Sequence, residues 1–412
     1  MVTKITNGKI IGRSSISTAS DLYFEKTDTH GKIIGIFPAN SPLAPVPDKI
    51  IDAHGLFVSP GFIDLHTHGA GGSDFLDCEK DGFLKAACTH ACHGTTALLP
   101  TATSGDLAEL FETIDVYRAA KRENDADTVG AAFLGLHLEG PYFALSQKGA
   151  QDEAYVRGFD QAEYTKILAY GDADIRRWSA APELDGAEEF ARTLVAHGVL
   201  PSIGHTDASE ADVEKAFDAG FTHVTHLYSC TSGVHRKNGL RYAGVIECAY
   251  LNDAMTVEII ADGVHLPASL LKLVYKIKGA PRTALVTDSM RAAGMPEGES
   301  ILGSKTHGLR VLVEDGVAKM PDRSCFAGSV ATMDRLVRNM VYLAGVSLPD
   351  AVKMASETPA RIIGETHKGA LLPGFDADIL LFDENIHIHS VIIGGKAVFY
   401  DEKGNDQNHG QC

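Results

Sequence analysis

Two hydrophobic rhythms divide the chain. From about residue 58 to 366, short continuous apolar runs alternate with stretches of helical spacing. A short unbroken apolar run is how a parallel strand covered on both faces reads. Eight such runs occur: GFIDLHTHG, TTALLPT, AAFLGLHLEG, IRRWSAAPE, VLPSIGHTD, HVTHLYS, TVEIIADG and TALVTDS. ASEADVEKAFDAG illustrates the helices between them. Ser209 caps it, Val213, Ala216 and Phe217 share one face, and Gly220 ends it. Eight strand–helix units in this stretch predict an α/β chain with a (β/α)8 TIM barrel. The alternative is a doubly wound open sheet, which usually has fewer strands. It often carries a GxGxxG turn, and none follows any of these runs.

The two ends have a different character. NGKIIG, DLYFEK and GKIIGIF near the start, and GALLPGFDADILLFD, IHSVIIGG and KAVFYDEKG near the end, read as short strands parted by Gly and Asp turns. ANSPLAPVPD is a Pro-rich loop. The expected division is a small β-sandwich domain from residues 1–57 plus 367–403, a barrel from residues 58–366, and a polar, disordered tail over 404–412.

Composition narrows the function classes. The 412 residues are 44% hydrophobic and 22% charged, as in a soluble globular protein. A formal net charge of -17 argues against nucleic-acid binding through a basic face. There is no apolar run of about 18 residues, so no membrane span is expected. The start lacks the apolar core and small-residue cleavage site of a signal peptide. Seven cysteines without a CxxC pair do not make a disulfide framework, and a reducing cytoplasm is the expected location.

The chemistry lies in what ends each run. His66 and His68 end the first, Glu139 the third, His205 the fifth, His226 the sixth and Asp288 the eighth. The active site of a barrel lies at the C-terminal ends of its strands, so these groups would converge at one mouth. His66 and His68 are two apart and face the same side of their strand. Imidazoles and carboxylates are ligands for a divalent transition metal; zinc is the default, and iron, manganese and cobalt also suit them. Asp288 beside such an ion could take a proton from water and deliver it to a leaving amine.

In this order, GFIDLHTHG, HLEGPYF, GHTDA, THLYS, ADGVH and TDSM resemble the N-acetylglucosamine-6-phosphate deacetylases of the amidohydrolase superfamily. LLPGFDADILLFD looks like that superfamily's returning sandwich strand. The resemblance implies removal of acetate from an amino-sugar phosphate by metal-bound hydroxide, in amino-sugar metabolism. The N-acetylgalactosamine epimer and a different amide are the alternative substrates. It also implies that Glu139, His205 and His226 hold the main ion and that Asp288 is the acid/base. Retention of His66 and His68 makes a second ion, bridged by Glu139, the expectation beside a single-ion site. His265 would contact the sugar phosphate, as would backbone amides at Ser229 and Cys230. Two departures stand out. Gln151 in KGAQ stands where many relatives carry a histidine that assists the substrate carbonyl, and can donate a hydrogen bond there without charge; GVHRKNGLRYAG replaces the usual phosphate loop. His235, Arg236 and Lys237 keep positive charge there. Because the family's loop arginine can reach a neighbouring subunit, a homodimer is implied.

Overall fold

The computed structural model describes residues 1–27 and 30–400; the tail expectation for residues 404–412 lies outside them. All eight apolar runs form strands. In chain order they are β1 (Phe62–Thr67), β2 (Thr95–Thr103), β3 (Leu136–Glu139), β4 (Ile175–Ala180), β5 (Leu200–Ile203), β6 (His223–Val224), β7 (Thr256–Ile259) and β8 (Thr283–Leu285). Each pairs in parallel with the next. The ring closes where Thr67 and Ser289 form a parallel bridge and the Asp288 amide donates to the His66 carbonyl at 2.8 Å. The sheet is thus a closed (β/α)8 barrel, as its hydrophobic rhythm predicts.

Helices follow the strands: α1 (Lys80–Cys92), α2 (Leu107–Asp127), α3 (Gln161–Gly171), α4 (Ala187–Ala196), α5 (Glu210–Ala219), α6 (Val245–Leu251), α7 (Ala268–Lys278) and α8 (Met333–Tyr342). Helix α5 begins at Ser209 in a reciprocal capping box with Asp212 and stops at Gly220, whose φ of 124° lies in the region glycine favours. Val213 and Ala216 are buried and Phe217 packs partly against the same core. Between sheet and helices, Trp178 and Phe190 meet edge-on at 5.2 Å and Tyr142 stacks on Trp178 at 5.9 Å. Burial of each such side chain contributes about 1.5–3 kcal/mol.

The barrel interior departs from the usual filling of branched aliphatic side chains. Asp64, His66, Thr101, His137, Arg177, Ser179, Ser202, Thr225 and Glu258 are all buried there and joined by hydrogen bonds. The apolar side chains alternating with them, among them Ile63, Leu65, Leu138 and Trp178, belong to the hydrophobic clusters. A strand's period of two places the two sets on opposite faces.

The chain ends form two further sheets, one wholly N-terminal and one shared by both ends. Residues 2–6, 20–26, 31–38 and 49–52 form one; residues 396–400, 388–393, 379–382, 57–60, 9–11 and 16–17 form the other. A four-stranded antiparallel sheet, Gly298–Leu302, Leu309–Glu314, Val317–Lys319 and Phe326–Ser329, lies between β8 and α8. The sequence reading did not anticipate it. Among the described residues, no helix is long and apolar enough to cross a membrane.

Candidate metal centre

At the C-terminal mouth of the barrel lies a cavity of about 310 Å³, lined in part by His68, Glu139, His205, His226 and Asp288. His66 sits fully buried beneath them. All six strand-end residues are therefore together. Three of them, His205, His226 and Asp288, have φ of 50°, 26° and 46°. Such left-handed backbone costs non-glycine residues about 1–3 kcal/mol and tends to cluster where function requires it.

Glu139 is the hub. Its Oε1 lies 3.1 Å from His205 Nε2, 3.1 Å from His226 Nε2 and 3.5 Å from His66 Nε2. Its Oε2 lies 3.5 Å from His68 Nε2 and accepts a hydrogen bond from Gln151 Nε2 at 2.9 Å. Backbone acceptors fix two of the rings: His205 Nδ1 donates to the Gln147 carbonyl at 2.9 Å, and His226 Nδ1 donates to the Ser229 carbonyl at 3.1 Å. In their neutral forms both rings then turn a lone pair toward Glu139.

This donor set fits a divalent ion. His205 Nε2 and His226 Nε2 stand 3.2 Å apart, a spacing that a shared proton or a shared cation satisfies and two bare lone pairs do not. The edges of a tetrahedron with bonds near 2.0 Å are about 3.3 Å, close to the spacing of these two nitrogens and Glu139 Oε1. His66 Nε2, which faces Glu139, is buried without a hydrogen-bond partner. His66, His68 and Glu139 make a second group of three ligand atoms, so Glu139 belongs to both. A buried polar atom without a partner is costly, and a metal ion is one way to satisfy it.

Without an ion, the charges lean on one another. Burial works against the charged form of His66, but the Asp288 and Glu139 carboxylates hold its pKa up at about 10. His68 is also raised: burial opposes it, while Asp288 and Glu139 favour the cation. His205 is raised well above its ordinary value, against burial, by Cys230 and Glu139. Burial would raise Glu139, yet His66 and the other imidazoles keep it well below the usual carboxylate range. Asp288 is lowered in the same way, burial opposing and His66 and His68 prevailing. Its Oδ1 lies 3.0 Å from His68 Nε2 and 3.4 Å from His66 Nε2.

The residues expected to meet substrate divide into two sets. Gln151, Ser229, Cys230 and His265 line the cavity. His265 is anchored by Asp262 at 2.7 Å and its ring lies 4.7 Å from that of Phe326. The Ser229 amide is already committed to the His226 carbonyl at 2.9 Å. His235, Arg236 and Lys237 do not join the cavity of their own chain. They lie exposed on an antiparallel ribbon with Leu240–Tyr242, where His235 stacks on Tyr242. Sequence reasoning missed Glu258, Arg177 and His223, which lie under the centre. Their only signal was a charged or polar residue at an inward position of a strand.

A model described as the amidohydrolase family matches residues 57–398. The chain belongs to the amidohydrolase family. This member is 33% identical over 347 residues to an N-acetylglucosamine-6-phosphate deacetylase from Lysinibacillus sphaericus, which covers 84% of this chain and 86% of the relative. It is 32% identical over 355 residues to an N-acetylgalactosamine-6-phosphate deacetylase from Escherichia coli O157:H7, covering 86% and 91%. A solved N-acetyl-D-glucosamine-6-phosphate deacetylase from Mycobacterium smegmatis, a mutant in complex with N-acetyl-D-glucosamine-6-phosphate, superposes with a TM-score of 0.85 at 28% identity over 97% of this chain and 99% of that one. The Pasteurella multocida N-acetylglucosamine-6-phosphate deacetylase gives a TM-score of 0.86 at 26% identity, over 96% and 99%. The kinship read from HLEGP, GHTDA and THLYS therefore holds. This amidohydrolase is an enzyme that hydrolyses an amide with the help of a divalent metal.

Proposed function

We propose that this amidohydrolase deacetylates N-acetylglucosamine-6-phosphate, giving glucosamine-6-phosphate and acetate. The observation that carries the reading is the convergence of two groups of ligand atoms on Glu139, with Asp288 at their side, in a cavity the size of a small sugar. The relatives' substrates support the choice within amides. Glu139, His205 and His226 would hold one ion, and His66 and His68 with Glu139 a second; zinc suits this donor set best. When bound, a divalent ion supplies Lewis acidity and brings the pKa of water toward neutrality.

The chain's own residues do the rest. Asp288, held ionised, accepts the proton of the attacking water and later delivers it to the sugar nitrogen, which leaves poorly as an anion. Gln151, tied to Glu139 through its amide nitrogen, orients that carboxylate at the cavity wall. His265, its Nδ1 spent on Asp262, presents Nε2 for the substrate phosphate, and the Ser229–Cys230 backbone lies beside it along the wall. The exposed His235–Lys237 ribbon is suited to reach phosphate in a partner subunit, and a homodimer in the cytoplasm is part of this reading. The proposed domain division, a small sandwich from residues 1–57 plus 367–403 around a barrel from residues 58–366, is supported by the six-stranded sheet that both chain ends share.

The test is acetate release from a panel: the gluco and galacto N-acetyl 6-phosphates, their unphosphorylated forms, and a cyclic amide. Preference for the gluco 6-phosphate supports the reading. Equal or better turnover of the cyclic amide would replace it.

A further inference from the structure

Beneath the proposed centre lies a carboxylate that does not line the cavity and is not itself an expected ligand. Glu258, on β7, is fully buried and uses both oxygens. Oε1 accepts from His66 Nδ1 at 2.9 Å and from the backbone amide of His226 at 3.1 Å. Oε2 accepts from Arg177 Nη1 at 2.6 Å and lies 3.2 Å from His223 Nε2. Arg177 is itself buried and held in place from three other strands. Its Nε donates to Ser202 Oγ at 3.0 Å, Nη1 to the Leu65 carbonyl at 3.2 Å and Nη2 to Thr225 Oγ1 at 2.9 Å. A guanidinium so placed keeps the carboxylate ionised and its position fixed.

The consequence for His66 is specific. An ionised carboxylate can only accept, so His66 carries its hydrogen on Nδ1. Nε2, the buried nitrogen without a hydrogen-bond partner, is then the ring atom turned toward Glu139 and Asp288, and its lone pair is the one an ion would take. The same Glu258 oxygen also fixes the backbone of His226, which belongs to the other ligand group. Strands β1, β4, β6 and β7 thus meet on one side chain. His137, whose ring lies 4.6 Å from that of His66 at an interplanar angle of 84°, blocks the ring from tilting.

We infer that Glu258 is a positioning residue for the metal centre: with Arg177 as counter-charge, it fixes the tautomer and direction of His66 and the backbone of His226. This rests on the reading of His66 and His226 as ligands. Outer-shell carboxylates of this kind typically change metal affinity by about 10–100-fold when removed.

The test is zinc affinity of the full chain by competition with a chromophoric chelator, for wild type and Glu258→Gln, with thermal unfolding of the metal-free forms alongside. The expected result is a folded variant that binds zinc about 10–100-fold more weakly. A folded variant with wild-type affinity would overturn the inference while leaving the metal reading intact. A wild type that binds no zinc would overturn both. Should Glu258→Gln not fold, histidine-selective nitrogen NMR of the zinc-loaded wild type decides, with His66 assigned by its loss in His66→Gln. A His66 ring protonated only at Nδ1 supports the inference. Protonation at Nε2 overturns it.

Discussion

Asp288 Oδ1 lies 3.0 Å from His68 Nε2, and the segments just past β8 and β1 that carry the two residues are stitched by their backbones at the barrel seam. The Asp288 amide donates to the His66 carbonyl at 2.8 Å, and the His68 amide to the Ser289 carbonyl at 2.8 Å. Below them Thr287, Ser289, Thr67 and Asp64 form a buried polar ladder. The distance between proton carrier and ligand is therefore set by strand pairing, which leaves little room for drift.

Asp288→Asn should keep the shape of this seam and lose the proton carrier. Its zinc content should match wild type, while kcat for acetate release falls by about 10²–10⁴-fold, the usual weight of a positioned acid/base. Elemental analysis and a product assay on the same preparation check both halves. A variant that keeps full kcat removes Asp288 from the chemistry.

Loading of the metal-free protein should release protons. His66 is held up at about 10 in the absence of an ion, so at neutral pH its Nε2 carries a proton that an incoming ion must displace. Apparent affinity should therefore weaken as pH falls and strengthen as it rises. Calorimetric titration with zinc in two buffers of different ionisation enthalpy reads the number released. Zero protons released near pH 7 would contradict the charge state assigned to the centre.

Away from the site, His93 and Asp334 tie the end of α1 to α8 at 3.3 Å. Burial would raise Asp334, but His93, Thr332 and Arg338 bring its pKa down to about 2. Burial lowers His93, yet Asp334 raises it above its ordinary value. The carboxylate's contribution is present above its unfolded pKa, about 3.9, and is lost as pH falls through about 2. The imidazole's contribution is complete below its unfolded pKa, about 6.5, and fades as pH rises through the raised folded value. The pair should thus stabilise most between about pH 4 and 6.5. Comparing Tm against pH for wild type and Asp334→Asn tests this: the difference should be largest in that window. A difference that grows steadily toward alkaline pH would contradict it.

Much of this was legible in the sequence because each buried parallel strand is an unbroken apolar run that ends in a chemically conspicuous residue. His66, His68, Glu139, His205, His226 and Asp288 could be read from their places at the ends of such runs. Glu258 could not. A glutamate inside TVEII looks like a strand irregularity until Arg177, His66 and His223 arrive from other strands. His90, one histidine among the residues of α1, gives no sign in the sequence that its ring meets Thr67 Oγ1 at 2.9 Å under the mouth. The sheet over residues 298–329 was missed because its strands are short, half-exposed and joined by tight turns, without the continuous burial that marks the barrel. The fold also separates His235–Lys237 from the cavity of their own chain, which their place in the sequence does not reveal.

The account depends most on the cluster around Glu139 being a working metal centre. Acetate release from N-acetylglucosamine-6-phosphate, followed as zinc is returned in steps to chelator-stripped protein, tests this most directly. Activity should start near zero and saturate after one or two equivalents per chain, and Glu139→Ala should show no such recovery. Stripped protein that already turns over at the full rate, or a Glu139→Ala variant that recovers like wild type, would contradict it.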